Sequence, residues 1–389
     1  MKRIHASILL ALLTTAMPVY ADSVSAQKAY NEGDFATAFR EFKADGSAKS
    51  LFQIGLMYAN GKGVKKDRRE AVKWYRKSAE QGFGKAQVTL GLMYSLGDEV
   101  RQDKKEAAKW YRKAAEQGLA DAQFATGQIY DRGEGVHQDR AEAAKWYRKA
   151  AEQKHANAQL NLGVKYDNGE GVEKDKQEAA KWYQKAAEQG ISRAQYLLGH
   201  LYDKGDGVLL DKKEALKWYR KAAEQGYALA QYNLGLLYDR GDGVPQDNGE
   251  ALKWFRRAAD KGNADAQFAV AQAYVKGISV KKDLKMGLKW YRKAAEQGQA
   301  DAQFLLGQIY DKGELVKQDR KEAFKWYRKA AEQGLDQAQF ILGLMYFNGF
   351  GVKQNKIEAL VWFQKAAEQG HDQAQKTLEF LGKRRSPML

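Results

Sequence analysis

The sequence predicts an all-α solenoid built from nine helix–loop–helix repeats of 36 residues. The first observation is that the chain has nine tryptophans, each 36 residues from the next. A fixed period in this range is typical of solenoids, in which each repeat buries its apolar face by stacking on its neighbours. The second observation is that every repeat contains two stretches with helical periodicity and none with the alternation of a strand. The tryptophans are Trp74, Trp110, Trp146, Trp182, Trp218, Trp254, Trp290, Trp326 and Trp362.

The first 21 residues predict a secretory signal peptide. Lys2 and Arg3 precede an apolar run from Ile8 to Ala16, and Val19-Tyr20-Ala21 matches the small-x-small cleavage pattern. The apolar run is shorter than a membrane span, which needs about 20 residues. No other long apolar stretch occurs, so we expect no integral membrane segment. The sequence therefore predicts an exported protein, with the periplasm as the first choice and secretion as the alternative.

The remaining chain divides into caps and repeats. Residues 22–47 predict a helical hairpin that caps the solenoid, with Gly33 at the turn. The nine repeats occupy residues 48–371, residues 372–382 form a lone capping helix, and residues 383–389 form a basic tail. The terminal elements differ from the repeats, as solenoid caps must.

The first helix of each repeat, called helix A, is predicted over about Ala48–Ala59 in the first repeat. Ser50, Ile54 and Tyr58 follow i, i+4, i+8 spacing and share one face. Gly55 recurs inside this helix in most repeats, although glycine in a helix costs up to ~1 kcal/mol relative to alanine. We therefore expect a close helix–helix contact there that a side chain would block.

The second helix, called helix B, is predicted to begin after Asp67. Asp67 and Glu70 have the spacing of a capping box, in which each side chain accepts a hydrogen bond from the other residue's backbone N–H. Trp74 lies on the apolar face and is predicted to be core. Gly82 ends the helix as a left-handed residue, and only Lys154 departs from glycine at that position.

The formal net charge of +16 comes mostly from the repeated motif that runs from Lys73 to Lys77. Our preferred interpretation is a solvated helix face. The alternative is attraction to an acidic partner, such as an envelope polymer or an anionic lipid. The chain carries no nucleic-acid-binding signature, so nucleic acid is excluded as a predicted partner.

Catalytic and metal-binding chemistry lacks a basis in the sequence. Catalysis needs one constellation of residues in one geometry, whereas the repeats offer the same residues nine times. Four histidines follow the signal: His137 and His155 flank one helix B and lack an evident third ligand, and His200 and His371 lie in two other repeats. Metal binding needs several ligands close together. There is no cysteine, which excludes disulfides and a lipid anchor on cysteine. We therefore predict no catalytic residue, no cofactor and no metal site.

Binding residues are expected where the repeats vary while the scaffold stays constant. Helix A positions equivalent to 49, 53, 56 and 60 form one stripe, and residues there alternate between polar and aliphatic types. We predict a groove for a protein partner along this stripe; drift at tolerant positions is the alternative. The candidate contact residues are Asn161, His200, Asn233, Gln272 and Gln308.

The repeat resembles the Sel-one-like repeat (SLR) family, close relatives of tetratricopeptide repeats. The matching segments are Ala230–Tyr238, Gly241–Val244, Lys253–Phe255 and Ala223–Gly226. The resemblance implies a right-handed α/α superhelix whose helices A line the concave side, and a role as an adaptor. One branch of the family, linked to penicillin binding and weak β-lactamase activity, pairs cysteines in each repeat. That activity carries over poorly, because this chain has no cysteine.

Three functions follow from these observations. The main prediction is an exported interaction scaffold without enzymatic activity, which binds another protein along the groove. A secreted factor that binds host proteins is the first alternative. A weak hydrolase of cell-wall or β-lactam substrates is the second, and the absence of a non-repeated acid/base cluster disfavours it.

Overall fold

A computed structural model describes residues 24–383 and confirms the predicted fold class: this part of the chain contains 21 α-helices and no strand. The hairpin comprises α1 (Val24–Glu32) and α2 (Phe35–Asp45), and the lone C-terminal helix is α21 (Asp372–Lys383). Helices A of the nine repeats are α3 (Ala48–Asn60), α5 (Gly84–Leu96), α7 (Ala120–Arg132), α9 (Ala156–Asn168), α11 (Ser192–Lys204), α13 (Ala228–Arg240), α15 (Ala264–Lys276), α17 (Ala300–Lys312) and α19 (Asp336–Asn348). Helices B are α4 (Arg68–Glu80), α6 (Lys104–Glu116), α8 (Arg140–Glu152), α10 (Lys176–Glu188), α12 (Lys212–Glu224), α14 (Asn248–Asp260), α16 (Leu284–Glu296), α18 (Arg320–Glu332) and α20 (Lys356–Glu368).

The chain forms two compact units, one up to Lys185 and one from Ala186. Within each unit, helix A packs on helix B of the same repeat and on helix B of the preceding repeat. The predicted signal segment, residues 1–21, and the tail after Lys383 lie outside the described residues. None of the described helices has both the length and the apolar character needed to cross a bilayer.

The recurring glycine of helix A makes room for an aromatic ring. A Cβ atom on Gly127 would lie 2.6 Å from Cδ1 of Tyr147, on helix B of the same repeat. The same clash recurs in the second unit, between Gly307 and the Tyr327 ring at 2.7 Å. The close contact expected from the sequence is therefore a helix-to-ring contact, which brings the tyrosine hydroxyl across to the C-terminal half of helix A.

Helix B begins with half of the predicted capping box. The Asp67 side chain accepts a hydrogen bond from the backbone N–H of Glu70 at 3.0 Å, as a helix N-cap does. The reciprocal half is wrong, because the Asp67 N–H donates to the carbonyl of Tyr58 at 2.9 Å. Glu70 instead accepts a hydrogen bond from Lys73 at 2.7 Å. The backbone bond ties the start of helix B to the end of helix A and fixes the loop length.

Seven of the nine tryptophans are buried, and Trp74 and Trp290 are partly exposed. In each repeat a cation one turn further along helix B covers the indole ring, as Lys221 covers Trp218 with 4.2 Å between Nζ and the ring centroid. Such cation–π contacts stabilise the pair by about 0.5–1 kcal/mol at exposed sites. The tryptophans therefore have their inner faces in the core and their outer edges under lysine or arginine.

Candidate functional site

The five candidate residues of the helix A stripe are all partly exposed. Asn161 lies on α9 in the first unit. His200, Asn233, Gln272 and Gln308 lie on α11, α13, α15 and α17 in the second unit. A binding stripe needs such partial exposure, because its side chains must reach a partner while the helix stays packed. The five residues differ in what they contact within the chain.

Two of them meet at one tyrosine hydroxyl in the second unit. Nδ1 of His200 lies 3.4 Å from the hydroxyl of Tyr219, which belongs to helix B of the same repeat. The side chain of Asn233, on the next helix A, is hydrogen-bonded to the hydroxyls of both Tyr219 and Tyr196. The His200 and Tyr196 rings are stacked, with centroids 6.3 Å apart. We call these four residues, together with Asp203, the Tyr219 cluster.

Asp203 brings charge to this cluster. Its carboxylate lies 2.6 Å from Nζ of Lys212, and the same ammonium group donates to the Asp203 backbone carbonyl at 2.9 Å. In five other repeats a glutamine bonds the equivalent carbonyl, as Gln246 bonds that of Asp239. This repeat has Leu210 at that position, so Lys212 replaces the missing amide.

The tyrosines of the cluster stay protonated at physiological pH. Burial raises the pKa of Tyr219 well above its ordinary value, while the hydrogen bond from Asn233 opposes that rise. Burial likewise raises the pKa of Tyr196. Both hydroxyls are therefore neutral donors and acceptors, and neither is activated as a base or nucleophile.

A second polar cluster surrounds Asn161 in the first unit. The Asn161 side chain is hydrogen-bonded to the Tyr147 hydroxyl, and burial raises the pKa of Tyr147. Lys165, one turn further along α9, is 4% exposed. Its ammonium group bonds Asp131 and lies 2.8 Å from a carboxylate oxygen of Glu170. Hydrogen bonding to Lys165 lowers the pKa of Glu170.

Lys165 is the residue that sequence reasoning missed. The signal was present, because the other eight repeats carry an apolar side chain at this position: Met57, Met93, Ile129, Leu201, Leu237, Ala273, Ile309 and Met345. A single charged residue at a position that is apolar in the other eight repeats is a change that packing alone does not favour. Burying an ion pair costs several kcal/mol per ion before the pairing offsets it.

Gln272 and Gln308 differ from the other candidates, because their side chains make no hydrogen bond with other described residues. Partly exposed aliphatic residues lie on the same stripe, among them Leu236, Leu305 and Ile341. The second unit therefore presents unengaged amides beside half-buried aliphatic surface. This combination suits a protein interface, in which apolar anchors are buried while amides form directional hydrogen bonds.

The repeated basic motif is engaged within the chain. Lys73 pairs with Glu70 at 2.7 Å, and Lys77 lies over the Trp74 ring with 4.4 Å to its centroid. Five of the seven arginines at the position of Arg76 contact the tyrosine hydroxyl of the next repeat, as Arg256 does with Tyr274 at 3.0 Å. These contacts support the interpretation of the motif as a solvated structural face.

No group of three histidines, cysteines or carboxylates with the geometry of a metal site occurs in residues 24–383. The polar clusters described above are hydrogen-bonded assemblies whose tyrosines are neutral. Their arrangement can recognise a partner by hydrogen bonding, and it offers no activated nucleophile.

Comparison with known proteins places these features in a family. The Sel1 repeat family matches nine consecutive segments, residues 48–83, 84–119, 120–155, 156–191, 192–227, 228–263, 264–299, 300–335 and 336–371. Such repeats generally serve protein–protein interaction and typically form non-enzymatic scaffolds. No curated protein matches the chain significantly.

Two solved structures are similar over most of the chain. A protective antigen of uropathogenic Escherichia coli with an SLR fold is 38% identical, with a TM-score of 0.68 over 87% of this chain and 80% of that one. A Sel1 repeat protein from Oxalobacter formigenes is 33% identical, with a TM-score of 0.55 over 96% of this chain and 99% of that one.

Proposed function

Because the chain belongs to the Sel1 repeat family, we propose that it is an exported scaffold without enzymatic activity that binds a partner protein along the helix A stripe. The observation that carries this proposal is the pair of unengaged amides, Gln272 and Gln308, beside half-buried aliphatic side chains. The repeated basic motif is a weaker candidate, because its cations already have partners in the chain. The net positive charge speeds encounter with an acidic partner and loses this effect in salt.

Asn161, His200 and Asn233 have a double role in this proposal. Each contacts a buried tyrosine hydroxyl, so each positions the stripe as well as presenting a polar group on it. Replacing any of them is expected to lower both stability and binding. Gln272 and Gln308 contribute to binding alone, which makes them the cleaner test.

The test is to crosslink the protein in place, identify the captured partner, and measure that partner's affinity for purified variants. We expect the double variant Q272A/Q308A to weaken binding at least tenfold, equivalent to ~1.4 kcal/mol, with an unchanged melting temperature. The control is K289Q/K325Q, which neutralises two exposed lysines of the basic motif in the same repeats. If the control abolishes capture and Q272A/Q308A does not, the basic face is the site.

Export has its own test. The proposed signal peptide predicts a mature N-terminus at Asp22, which N-terminal sequencing of protein from the cell envelope will check. Recovery of the protein mainly from the cytoplasm, or with its first residues intact, contradicts the proposal.

Binding to a host protein is the second candidate function. The E. coli relative is described as a protective antigen, and a protective antigen is recognised by the host's immune system. If this chain shares that exposure, its partner along the stripe is a host protein. Fractionation decides between the two candidates, since a host-binding factor must appear at the cell surface or in the medium.

A further inference from the structure

The seventh repeat has three apolar residues at positions that are charged in most repeats. They are Val275, Ile278 and Leu284. Five repeats have Asp at the first position, six have Asp or Glu at the second, and seven have Lys or Arg at the third. At the first and third positions the fifth repeat has Asp203 and Lys212, whose charged atoms lie 2.6 Å apart. The seventh repeat therefore has apolar side chains where other repeats form an ion pair, and we call these three residues the seventh-repeat edge.

The edge is attached to the core at Val275. This side chain packs against the buried cluster that contains Tyr291. The other eight repeats have alanine at the position of Gly287, and a Cβ there would lie 2.5 Å from Cγ2 of Val275. The glycine thus makes room for the valine, while Ile278 and Leu284 are 40% and 37% exposed. The edge is a supported apolar surface, and two of its three side chains are accessible to a partner.

The seventh repeat also has a surplus of cations. Residues 264–299 contain seven lysines or arginines and three carboxylates, whereas the sixth repeat has five of each and the eighth has seven cations and six carboxylates. Three carboxylates of the common pattern are replaced, by Val275, Ile278 and Met286. Among the described residues, no cation of the seventh repeat forms an ion pair. The positive charge around the edge is therefore not neutralised within the chain.

Four exposed lysines flank the edge along the chain: Lys276, Lys281, Lys282 and Lys285. The carboxylate closest to them in sequence is that of Asp283, which accepts a hydrogen bond from the backbone N–H of Met286 as the N-cap of α16. Glu314 in the next repeat has a cation of its own, because Lys312 lies 3.7 Å away. The four flanking lysines are thus available to carboxylates from another molecule.

The edge adjoins the end of the helix A stripe. On α15, Val275 lies one turn after Gln272, and Lys276 occupies the last position of the stripe. A partner that lies along the stripe therefore reaches the edge on the same helix. A second copy of this chain carries the same surplus of positive charge and would be repelled. An acidic segment with an apolar residue complements both the cations and the apolar side chains.

We propose that the seventh-repeat edge binds an acidic segment of the partner protein. An apolar side chain of that segment packs on Ile278 and Leu284, and its carboxylates pair with the flanking lysines. The inference rests on the proposed function, because the segment belongs to the protein that binds the helix A stripe. It adds the chemical class of the partner and a second contact area to that proposal.

The test is fluorescence anisotropy of the intact protein with the labelled peptide Glu-Glu-Leu-Glu-Glu-Leu-Glu-Glu, at one fixed salt concentration. A second peptide has serine in place of both leucines. We expect the leucine peptide to bind about tenfold more tightly, because burial of a leucine side chain favours binding. The variant I278E/L284K restores charged residues of the common pattern and keeps the net charge. It should abolish the preference for leucine while the melting temperature holds, since both side chains are exposed.

Two matched controls separate the edge from non-specific attraction. L209E/L210K makes the same exchange at two exposed leucines of the fifth repeat and should leave both affinities unchanged. K281Q/K282Q should weaken binding of the leucine peptide about threefold, whereas K65Q/K66Q, at the equivalent positions of the first repeat, should not. Equal losses within either pair of variants overturn the inference, and so does a leucine peptide that binds no more tightly than the serine peptide.

The partner captured by crosslinking distinguishes this inference from the proposed function. If I278E/L284K leaves the partner's affinity unchanged while Q272A/Q308A lowers it, the stripe is the site and the edge is not. If I278E/L284K lowers the affinity and Q272A/Q308A does not, the edge is the site and the stripe is not. Self-association of the wild type that I278E/L284K abolishes would assign the edge to a second copy and overturn the inference. Sedimentation with anionic vesicles that I278E/L284K abolishes would assign it to a bilayer and overturn it as well.

Discussion

The side-chain amide of Gln297 donates a hydrogen bond to the side-chain oxygen of Gln267, 30 residues earlier, at 2.7 Å. Gln267 is 4% exposed, and its own amide donates to the carbonyl of Ala259 at 3.1 Å. The same pairing recurs along the chain: Gln117–Gln87, Gln153–Gln123, Gln225–Gln195, Gln333–Gln303 and Gln369–Gln339. In these repeats a buried amide chain, which runs from Gln297 through Gln267 to Ala259 in the example above, links one repeat to the repeat before it.

The pairing fails where Lys261 takes the place of the donor glutamine. The side-chain oxygen of Gln231 is buried and has no hydrogen-bond partner. We expect K261Q to stabilise the second unit by ~1 kcal/mol, the typical net value of a hydrogen bond. Denaturant unfolding measures this. The control is K289Q, which removes an exposed lysine without creating such a bond and should leave the unfolding free energy unchanged.

Removing a buried tryptophan should be far more costly than removing a partly exposed one. Trp218 is 5% exposed, so W218A should lower the unfolding free energy by ~3–5 kcal/mol. The damage should extend to adjacent repeats, because a solenoid repeat is stabilised by its neighbours. W290A serves as the comparison and should cost less. Equal effects from the two variants would mean that burial does not set the contribution of these rings.

The buried cation of the first unit should make stability depend on pH. K165M introduces the residue found in three other repeats, yet it leaves Asp131 and Glu170 without their partner. We expect K165M to lower the unfolding free energy by ~3 kcal/mol at pH 7, the lower end of the cost of breaking a buried ion pair. Chemical unfolding at several pH values provides the measurement.

The sign of the pH effect follows from Glu170. Lys165 holds the pKa of Glu170 below its ordinary value of 4.5. The resulting stabilisation is present above that ordinary value and is lost as the pH falls through the lower, folded-state pKa. The difference in unfolding free energy between wild type and K165M should therefore become smaller at acidic pH. E170Q in the wild-type background should remove the part of this pH dependence that Glu170 contributes. A difference in unfolding free energy between wild type and K165M that is the same at every pH would contradict the role of Glu170.

One residue at the end of a helix B is strained by its backbone. Lys154 has a φ of 65° where the other repeats have glycine. A non-glycine residue in this left-handed region costs roughly 1 kcal/mol, so K154G should stabilise the first unit by that amount. The reverse change G118A should destabilise it similarly, because a Cβ on Gly118 would meet no other atom. A neutral K154G would show that the strain is relieved elsewhere.

The fold was predictable because the same helix–loop–helix pattern occurs nine times, so the helix assignments in one repeat are supported by the other eight. The helix ends follow from Asp67 and Gly82 and their equivalents, whose local physics needs no tertiary information. The capping box was half wrong for a tertiary reason, since the carbonyl of Tyr58 takes the Asp67 N–H. A sequence pattern cannot show that a distant carbonyl competes for the same donor.

The candidate site was predictable only as a stripe. Helical spacing places Asn233 and Gln272 on one face, but it does not show that Asn233 bonds two tyrosine hydroxyls while Gln272 stays unengaged. Lys165 was overlooked because it is a single departure at a helix A position that is apolar in the other eight repeats. Comparing equivalent positions of the nine repeats for a single exception would have found it.

The backbone bond from Asp67 to Tyr58, the amide pairs 30 residues apart and the bonds from those amides to the preceding repeat recur at the same positions of the 36-residue repeat. Excision of 36 residues, from any point in one repeat to the same point in the next, rejoins matching parts. Duplication of 36 residues does the same, whereas any other length places a loop or an amide out of phase. Recombination between repeated stretches of the gene can therefore lengthen or shorten the array in single steps without redesigning any junction. The number of repeats is thus far freer to change during evolution than their length.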